Sequence, residues 1–326
     1  MTTIVPVIDI SDPSPETVKK LYEVASTFGF VFIEGSAFTA SDVDGMFRLA
    51  KEFFMEPINE KQKFPISSTN RGYSCVNQEV LDDKSNKGGD PKEVFNFGQF
   101  EDSKAIQPLP KVFSDCESDI AAFASKCHAT CNKLLDLLAE ALAVDHAAGG
   151  KTWFSSRHDL KEFSGSILRF LYYPAVVTGD GTNEIRAGAH TDYGSMTLLF
   201  QRAGQDGLEV QSPLSGEWVP IPALKAKDPS ACPPIVVNIA DQLSFWTAGV
   251  LKSAVHRVKF PIEAVKRGSD RYSMAYFCHP ADNILLEPVP SPVIKASSLA
   301  VPTGADVITA GEHLKRRLAA TYSWKD

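Results

Sequence analysis

The chain has 326 residues, of which 44% are hydrophobic and 10% aromatic, so it can bury a large core in one or two domains. Its formal net charge is -7, from 33 basic and 40 acidic residues, which argues against a nucleic-acid scaffold or an anionic membrane surface as its partner. An anion that binds here must therefore be held by a local basic group.

The N-terminal sequence and the cysteine content predict a cytoplasmic protein. The first nine residues contain no basic segment followed by a long apolar stretch, so we expect no signal peptide. No run approaches the roughly 18 apolar residues of a membrane span. The six cysteines are too sparse for a disulfide framework, and a reducing compartment fits them.

The first half of the chain is predicted to be largely helical. Ser14 followed by Pro15 is typical of a helix start, and a short buried strand follows at residues 30–33. A second helix is predicted over residues 41–55. We interpret residues 1–150 as a mostly helical region that packs on the core.

The longest predicted helix begins at Ser114, because the Ser-x-x-Glu spacing to Glu117 is that of a capping box. An apolar stripe at helical spacing then continues to about residue 142 and predicts a core face. Cys127 and Cys131 lie four residues apart on this helix. Such a pair could be half of a zinc site, but burial as small apolar residues is the favoured interpretation.

The second half of the chain predicts a mainly β fold with flanking helices. Short runs of β-forming residues alternate with turn residues at 167–173, 195–201, 208–211, 218–221, 235–239, 253–260 and 272–278. Runs of this kind without intervening helices favour antiparallel sheets folded as a distorted jelly roll over residues 151–326. A last helix is predicted over 305–322.

Two histidines and an aspartate in this half predict a metal site. His190 and Asp192 are two residues apart, so on a strand both side chains point to one face and can bind one ion. A His-x-Asp tripeptide alone is weak evidence, but Gly188 and Gly194 bracket it and allow close backbone approach. His256 follows in an alternating strand. Two imidazoles and one carboxylate are the ligands of non-haem Fe(II) oxygenases. No function is assigned to the histidines in helical or charged surface contexts, which are His128, His146, His158 and His313.

Arg271 and Ser273 form a second candidate site with the same spacing. An arginine fork beside a hydroxyl suits a carboxylate held by two parallel hydrogen bonds and a third one. In isolation the pair would indicate a solvated strand edge. Since it follows His256 closely, it becomes a candidate for binding the distal carboxylate of a dicarboxylate cosubstrate. Phe277 and His279 lie at the same alternate positions along the strand as Arg271 and Ser273, so they would face the same cavity.

The strand at residues 168–174 can be interpreted by parity as well. If Tyr173 faces inward, Leu171 and Arg169 also do. A buried arginine needs an anionic or carbonyl partner. Arg169 is therefore either paired with a structural acid or placed to hold a substrate, and the sequence leaves both alternatives open.

These features together resemble the Fe(II)- and 2-oxoglutarate-dependent oxygenases of the isopenicillin N synthase-like family. The resemblance covers nearly the whole chain. Its motifs occur in family order at residues 5–9, 28–33, 53–54, 57, 71–73, 92–95, 168–174, 190–192, 207–210, 216–218, 237–241, 246–247, 252–258 and 271–273.

The resemblance implies a double-stranded β-helix with the N-terminal helices packed along it. It implies Fe(II) held by His190, Asp192 and His256, and 2-oxoglutarate held at its distal carboxylate by Arg271, Ser273 and Tyr173. O2 is the other cosubstrate, ascorbate is a supporting reductant, and no catalytic residue beyond the metal ligands is expected. Two departures stand out: Leu171 replaces an asparagine that family members use, and the turn before Arg271 is long. Arg267 is the alternative to Arg271.

The resulting hypothesis is a 2-oxoglutarate-dependent dioxygenase that hydroxylates, desaturates or rearranges a small organic metabolite, with release of succinate and CO2, in specialised metabolism. Alternatives are an Fe(II) oxidase of the same fold that does not use 2-oxoglutarate, and a non-catalytic binding protein. The substrate is expected to be compact and partly aromatic or oxygenated, with an anionic group for Arg169. We expect a monomer or weak homo-oligomer without nucleic-acid or membrane partners. From family position and parity, the residues predicted to line the substrate pocket are Tyr73, Phe95, Phe97, Arg169, Phe277 and His279.

Overall fold

The structure, a computed structural model, describes residues 5–82, 88–175, 185–296 and 307–321. In these ranges no helix is long and apolar enough to cross a bilayer. The helices are α1 Pro15–Thr27, α2 Ala40–Phe54, α3 Ile58–Lys61, α4 Lys111–Ser114, α5 Glu117–Ala141, α6 Asp241–Trp246, α7 Ile262–Lys266, α8 Pro292–Lys295 and α9 Ala310–Thr321.

The strands form two large sheets and a small hairpin. They are β1 Val7–Asp9, β2 Phe30–Glu34, β3 Gly72–Ser74, β4 Glu93–Phe97, β5 Phe100–Glu101, β6 Lys104–Ala105, β7 Ile167–Tyr173, β8 Ile185–His190, β9 Met196–Gln201, β10 Leu208–Gln211, β11 Trp218–Ile221, β12 Ile235–Ile239, β13 His256–Lys259 and β14 Arg271–Cys278. The larger sheet has the order β1-β2-β12-β9-β14-β7-β4-β3, and the smaller has the order β11-β10-β13-β8.

The two faces of the larger sheet have different neighbours. Side chains at even positions of β7 and β14, such as Phe170 and Met274, join the main core beneath α1, α2 and α5. Their odd-numbered neighbours Leu171, Tyr173 and Ala275 join a separate cluster that also includes residues of the smaller sheet. The space between the sheets is therefore lined by the odd positions, as strand periodicity requires.

The predicted jelly roll is confirmed, and the seven predicted strands agree closely with β7 and β9–β14. The N-terminal part is less purely helical than predicted, because β1 to β4 all join the larger sheet. Strands from both sides of residue 150 thus share one sheet, and a domain boundary there stays a prediction.

The predicted capping box at Ser114 is wrong. Pro110 starts the separate short helix α4, and the amide of Ser114 donates to the carbonyl of Pro110, so Ser114 already lies inside a helix. Helix α5 begins after Cys116, which makes no side-chain cap. The two cysteines of α5, Cys127 and Cys131, are completely buried in the main core, which agrees with the favoured interpretation.

Helix α2 carries a capping box that tests the account of local stability. The hydroxyl of Thr39 accepts a hydrogen bond from the amide of Asp42, and the carboxylate of Asp42 accepts one from the amide of Thr39. We expect Thr39→Ala to lower the free energy of unfolding by about 1 kcal/mol. Urea denaturation would measure it, with Thr27→Ala at the end of α1 as the control. Equal stability of both variants would show that this cap contributes nothing.

Candidate metal centre

His190, Asp192 and His256 meet at one end of the smaller sheet. His190 is the last residue of β8 and His256 the first of β13, and the two are cross-strand partners. Their Nε2 atoms lie 3.9 and 3.6 Å from Oδ1 of Asp192. One ligand atom of each residue lies within 4.8 Å of the others, and no other such group occurs within the described ranges. Asp192 follows the strand rather than belonging to it, so the predicted sharing of one strand face is wrong in that detail.

Backbone carbonyls orient both imidazoles. Nδ1 of His190 lies 2.7 Å from the carbonyl oxygen of Gly188, and Nδ1 of His256 lies 3.2 Å from that of Ala254. A carbonyl oxygen can only accept, so each Nδ1 donates its proton and Nε2 is the nitrogen available as a ligand atom. Both Nε2 atoms can therefore bind a metal.

Two neutral donors orient the carboxylate of Asp192. The hydroxyl of Thr197 and the amide of Asn238 donate to Oδ2 at 2.6 and 2.8 Å. Oδ1 therefore remains directed toward the two imidazoles. Hydrogen bonds of this kind fix the geometry of a metal ligand.

The protonation of His190 and Asp192 suits a divalent cation. Burial, together with the neighbouring imidazole of His256, lowers the pKa of His190 to about 4, so its ring is neutral at neutral pH. Burial alone would raise the pKa of Asp192, but His256, His190 and the hydrogen bonds from Thr197 and Asn238 lower it on balance. Two imidazoles and a carboxylate with convergent donor atoms match the ligand set of a non-haem Fe(II) centre, so the residues fit iron.

The orienting role of Asn238 gives a test that leaves all three ligands in place. We expect Asn238→Ala to weaken Fe(II) binding by roughly 10- to 100-fold, because Oδ2 of Asp192 loses one of its two donors. Anaerobic competition with a chelator of known affinity would measure it. Asn132→Ala on α5 is the matched control, and an Asn238 variant that bound iron as well as this control would refute the orienting role.

The predicted carboxylate site lies on the larger sheet. Arg271 of β14 is the cross-strand partner of Tyr173 of β7 and is 2% exposed. Its guanidinium donates to Oγ of Ser273 at 3.2 Å, to Oε1 of Gln201 at 3.1 Å and to the carbonyl of Gln205 at 3.0 Å. These bonds hold the fork in place. Arg267, the alternative from the sequence, is exposed where α7 ends and does not line the cavity.

The three metal ligands and the predicted carboxylate site around Arg271 face one cavity between the sheets. Its volume, counted out to its open mouth, is about 1020 Å³. Arg169, Phe277 and His279 line it, as strand parity predicts. Leu314 and Leu318 of α9 also contribute to the wall, which the sequence did not indicate.

The structure resolves the two alternatives for Arg169 in an unexpected way. Its guanidinium donates to Oε2 of Glu79 at 3.3 Å and to Oδ1 of Asn96 at 2.7 Å, so it has a structural acid. It also lines the cavity, 5.5 Å from the ring of Phe277. Both interpretations therefore describe part of its surroundings.

Three of the predicted pocket residues are wrong. Tyr73, Phe95 and Phe97 do not line the cavity and lie in the main core, where Phe53 and Phe113 contact them. Strand parity explains this. Asn96 bonds to the cavity residue Arg169, so the residues on either side of it in β4 face the helices. Tyr73 lies opposite Phe95 in the ladder and shares its face.

His128 and His158 are both buried. His128 lies on α5, in the helical context that was predicted, whereas His158 follows a short helical turn and is not at the surface. Nε2 of His158 lies 2.8 Å from Oγ of Ser195, and Nδ1 of His128 lies 3.2 Å from the hydroxyl of Tyr276. Hydrogen bonds satisfy both side chains. They do not line the cavity.

A jelly roll that brings two imidazoles, a carboxylate and a buried arginine to one cavity defines a non-haem iron oxygenase. Comparison with known proteins agrees. A sequence model described as the 2OG-Fe(II) oxygenase superfamily matches residues 164–280, and one described as the N-terminal region of non-haem dioxygenase in morphine synthesis matches residues 5–113.

Three of the similar proteins align with nearly the whole chain. The chain is 33% identical to UPF0676 protein C1494.01 of Schizosaccharomyces pombe, over 98% of this chain and 93% of the relative. It is 31% identical to proline hydroxylase buaE of Petromyces alliaceus, over 94% and 93%. The crystal structure of a full-length Neurospora crassa protein in complex with alpha-KG and thymine has a TM-score of 0.79 at 28% identity, over 97% of this chain and 96% of that one.

The chain belongs to the 2OG-Fe(II) oxygenase superfamily, and the resemblance to the isopenicillin N synthase-like family is confirmed. It is a 2-oxoglutarate-dependent dioxygenase that uses Fe(II), 2-oxoglutarate and O2 to oxidise a small organic molecule. Several relatives are 2-oxoglutarate-dependent dioxygenases of fungi.

Proposed function

We propose that His190, Asp192 and His256 hold the iron and that Arg271, Ser273 and Tyr173 bind the distal carboxylate of 2-oxoglutarate. The observation that carries this proposal is the convergence of both groups on one cavity. Arg271 is buried and directed by three hydrogen bonds, which suits it to a fixed carboxylate. Leu171 lies beside Ser273 across the strands and supplies an apolar wall instead of an amide.

When bound, iron and 2-oxoglutarate supply the oxidising chemistry, with succinate and CO2 as the products of the cosubstrate. The protein positions the reactants and excludes water. His190 and His256 present Nε2, and Asp192 presents Oδ1, because hydrogen bonds occupy their other polar atoms. The apolar residues Leu199, Ala275 and Val258 line the cavity and limit its water content. No proton donor or acceptor beyond the ligands is required of the chain.

The substrate is proposed to be a compact planar molecule that lies between the metal centre and the far wall of the cavity. Phe277 offers an aromatic face for stacking. The guanidinium of Arg169 lies 5.5 Å from the centre of that ring and can donate hydrogen bonds to the substrate. The Neurospora crassa protein, with which this chain aligns over nearly its full length, binds thymine and 5-formyluracil, which are planar and oxygenated. Products of specialised metabolism form the first set of compounds to screen.

The test is consumption of 2-oxoglutarate with a panel of such compounds in the presence of Fe(II) and ascorbate. We expect at least one compound to raise succinate release and to appear as an oxidised product in equal amount. An oxidase that does not use 2-oxoglutarate would instead turn over its substrate without any succinate, and a binding protein would form no product.

We further propose that the protein acts in the cytoplasm, as a monomer or weak homo-oligomer, without nucleic-acid or membrane partners. All six cysteines are free, which suits a reducing compartment. The net charge of -7 disfavours binding to phosphate polymers. Sedimentation analysis would test the oligomeric state.

A further inference from the structure

A chain of buried charged and polar side chains forms one wall of the cavity. Arg169 and Lys92 both contact Oε2 of Glu79, at 3.3 and 3.2 Å, and Lys92 also pairs with Asp90 at 2.8 Å. Oδ1 of Asp90 accepts from the amide of Gly188, two residues before the metal ligand His190. We define Glu79, Asp90, Lys92 and Arg169 as the ion quartet.

The ion quartet faces the cavity and is shielded from solvent. Glu79, Lys92 and Arg169 all line the cavity. The side chains of Glu79 and Lys92 are each 2% exposed, that of Asp90 is 0% exposed, and that of Arg169 is 12% exposed. A buried charge is costly unless a partner balances it, and in this group two cations balance two anions.

In the rest of the proposed site the positive and negative charges are also equal in number. Fe(II) carries two positive charges and Arg271 a third, while Asp192 contributes one negative charge and 2-oxoglutarate two. The loaded centre is therefore neutral, and in the ion quartet beside it each cation contacts a carboxylate. Lys92 and Arg169, the cations of this wall, are thus already paired with carboxylates before any substrate binds.

We propose that the substrate is uncharged at the end that meets Arg169, with a carbonyl or amide group as the acceptor, and that Glu79 sets this specificity. This inference rests on the proposed function and narrows its substrate class. It replaces the sequence-based expectation of an anionic group for Arg169. A carboxylate placed there would compete with Glu79 for the same guanidinium and bring an unbalanced charge into a buried site.

Hydrogen bonds hold Arg169 in a fixed position for this role. Its Nε donates to Oδ1 of Asn96, and Nδ2 of Asn96 donates to the backbone and side-chain oxygens of Asn70, at 2.9 and 3.0 Å. Asn70 has a positive φ of 59° and itself lines the cavity. The fork is thus directed from both sides, by an amide and a carboxylate, before any substrate binds.

The experiment compares matched neutral and anionic probes. Protein loaded anaerobically with Fe(II) and saturating 2-oxoglutarate is titrated by calorimetry with benzamide and benzoate, nicotinamide and nicotinate, and thymine and uracil-5-carboxylate. Saturating 2-oxoglutarate keeps the carboxylate probes from Arg271. We expect binding of at least one neutral probe, at least roughly tenfold tighter than its carboxylate partner.

Glu79→Gln removes one negative charge and leaves the shape of the site. We expect this variant to reduce the preference for the neutral probe at least roughly tenfold, since one cation of the wall is then unbalanced. Arg169→Gln removes a positive charge instead, so it should increase the preference for the neutral probe over its carboxylate partner. Glu209→Gln, which disrupts the ion pair with Arg257 outside the cavity, is the control and should leave the preference unchanged.

Carboxylates that bind as tightly as their neutral partners, or a series without any neutral ligand, would overturn the inference. An unchanged preference in Glu79→Gln would do so as well, and if that variant failed to load 2-oxoglutarate, the Arg169→Gln result would decide. Loading of Fe(II) and 2-oxoglutarate is measured first. A protein that loads neither fails the proposed function, whereas one that loads both and prefers carboxylates fails only this inference.

Discussion

We expect Asp192→Ala to lose Fe(II) binding and to lower turnover by at least roughly 10³-fold, because the metal contributes several kcal/mol and each 1.36 kcal/mol is a factor of ten. Asp192 is the one anionic ligand, and its Oδ1 lies 3.9 Å from Nε2 of His190 and 3.6 Å from Nε2 of His256. Without it, two neutral nitrogen donors remain. Metal content after anaerobic gel filtration and succinate release would measure the loss.

Asp192→Asn separates loss of charge from loss of folding. Its amide oxygen can still accept hydrogen bonds from Thr197 and Asn238, so the variant should fold while binding iron poorly. Asp228→Ala, at an exposed carboxylate, is the control and should retain full activity. A variant without a carboxylate at 192 that kept one tightly bound iron would refute this ligand set.

The second large effect is expected at Arg271. We expect Arg271→Leu to weaken 2-oxoglutarate binding roughly 100-fold while Fe(II) binding stays unchanged, since truncating one partner of a buried charge pair costs about 2–5 kcal/mol. Arg271→Lys should have an affinity for 2-oxoglutarate between those of the parent and Arg271→Leu, because lysine keeps the positive charge but lacks the planar guanidinium. Calorimetric titration of the iron-loaded protein with 2-oxoglutarate would measure both.

Arg267→Leu is the matched control, because it removes an arginine four residues away that is exposed and outside the cavity. It should bind 2-oxoglutarate like the parent. If Arg267→Leu lost affinity and Arg271→Leu did not, the assignment of the carboxylate site would be reversed.

Local periodicity predicted much of the fold from the sequence. The runs at 167–173 and 272–278 alternate between a core face and a cavity face, and both faces came out as expected, including Arg169 and Phe277. Strand β8 was not among the predicted runs, because Ala187, Gly188 and Ala189 have weak β propensity. The metal site was still predicted, because the donor residues themselves carry the signal.

The ion quartet could not have been predicted in the same way. Glu79 and Arg169 are 90 residues apart, and Glu79 lies outside any strand or helix, so no periodic pattern links them. Only the tertiary fold shows that Arg169 already has a carboxylate partner. The errors at Phe95 and Phe97 have a related cause, since family position alone did not give the face of β4 to which each ring points.

The central claim is that one cavity holds Fe(II) on His190, Asp192 and His256 and 2-oxoglutarate on Arg271. Its most direct test is an anaerobic titration of the Fe(II)-loaded protein with 2-oxoglutarate, followed by the weak visible absorption band expected for this family's complex. If this assignment holds, we expect a band that saturates at one equivalent in the parent, is absent in Asp192→Ala, and needs far more 2-oxoglutarate in Arg271→Leu. An iron-loaded parent protein that developed no band would contradict it.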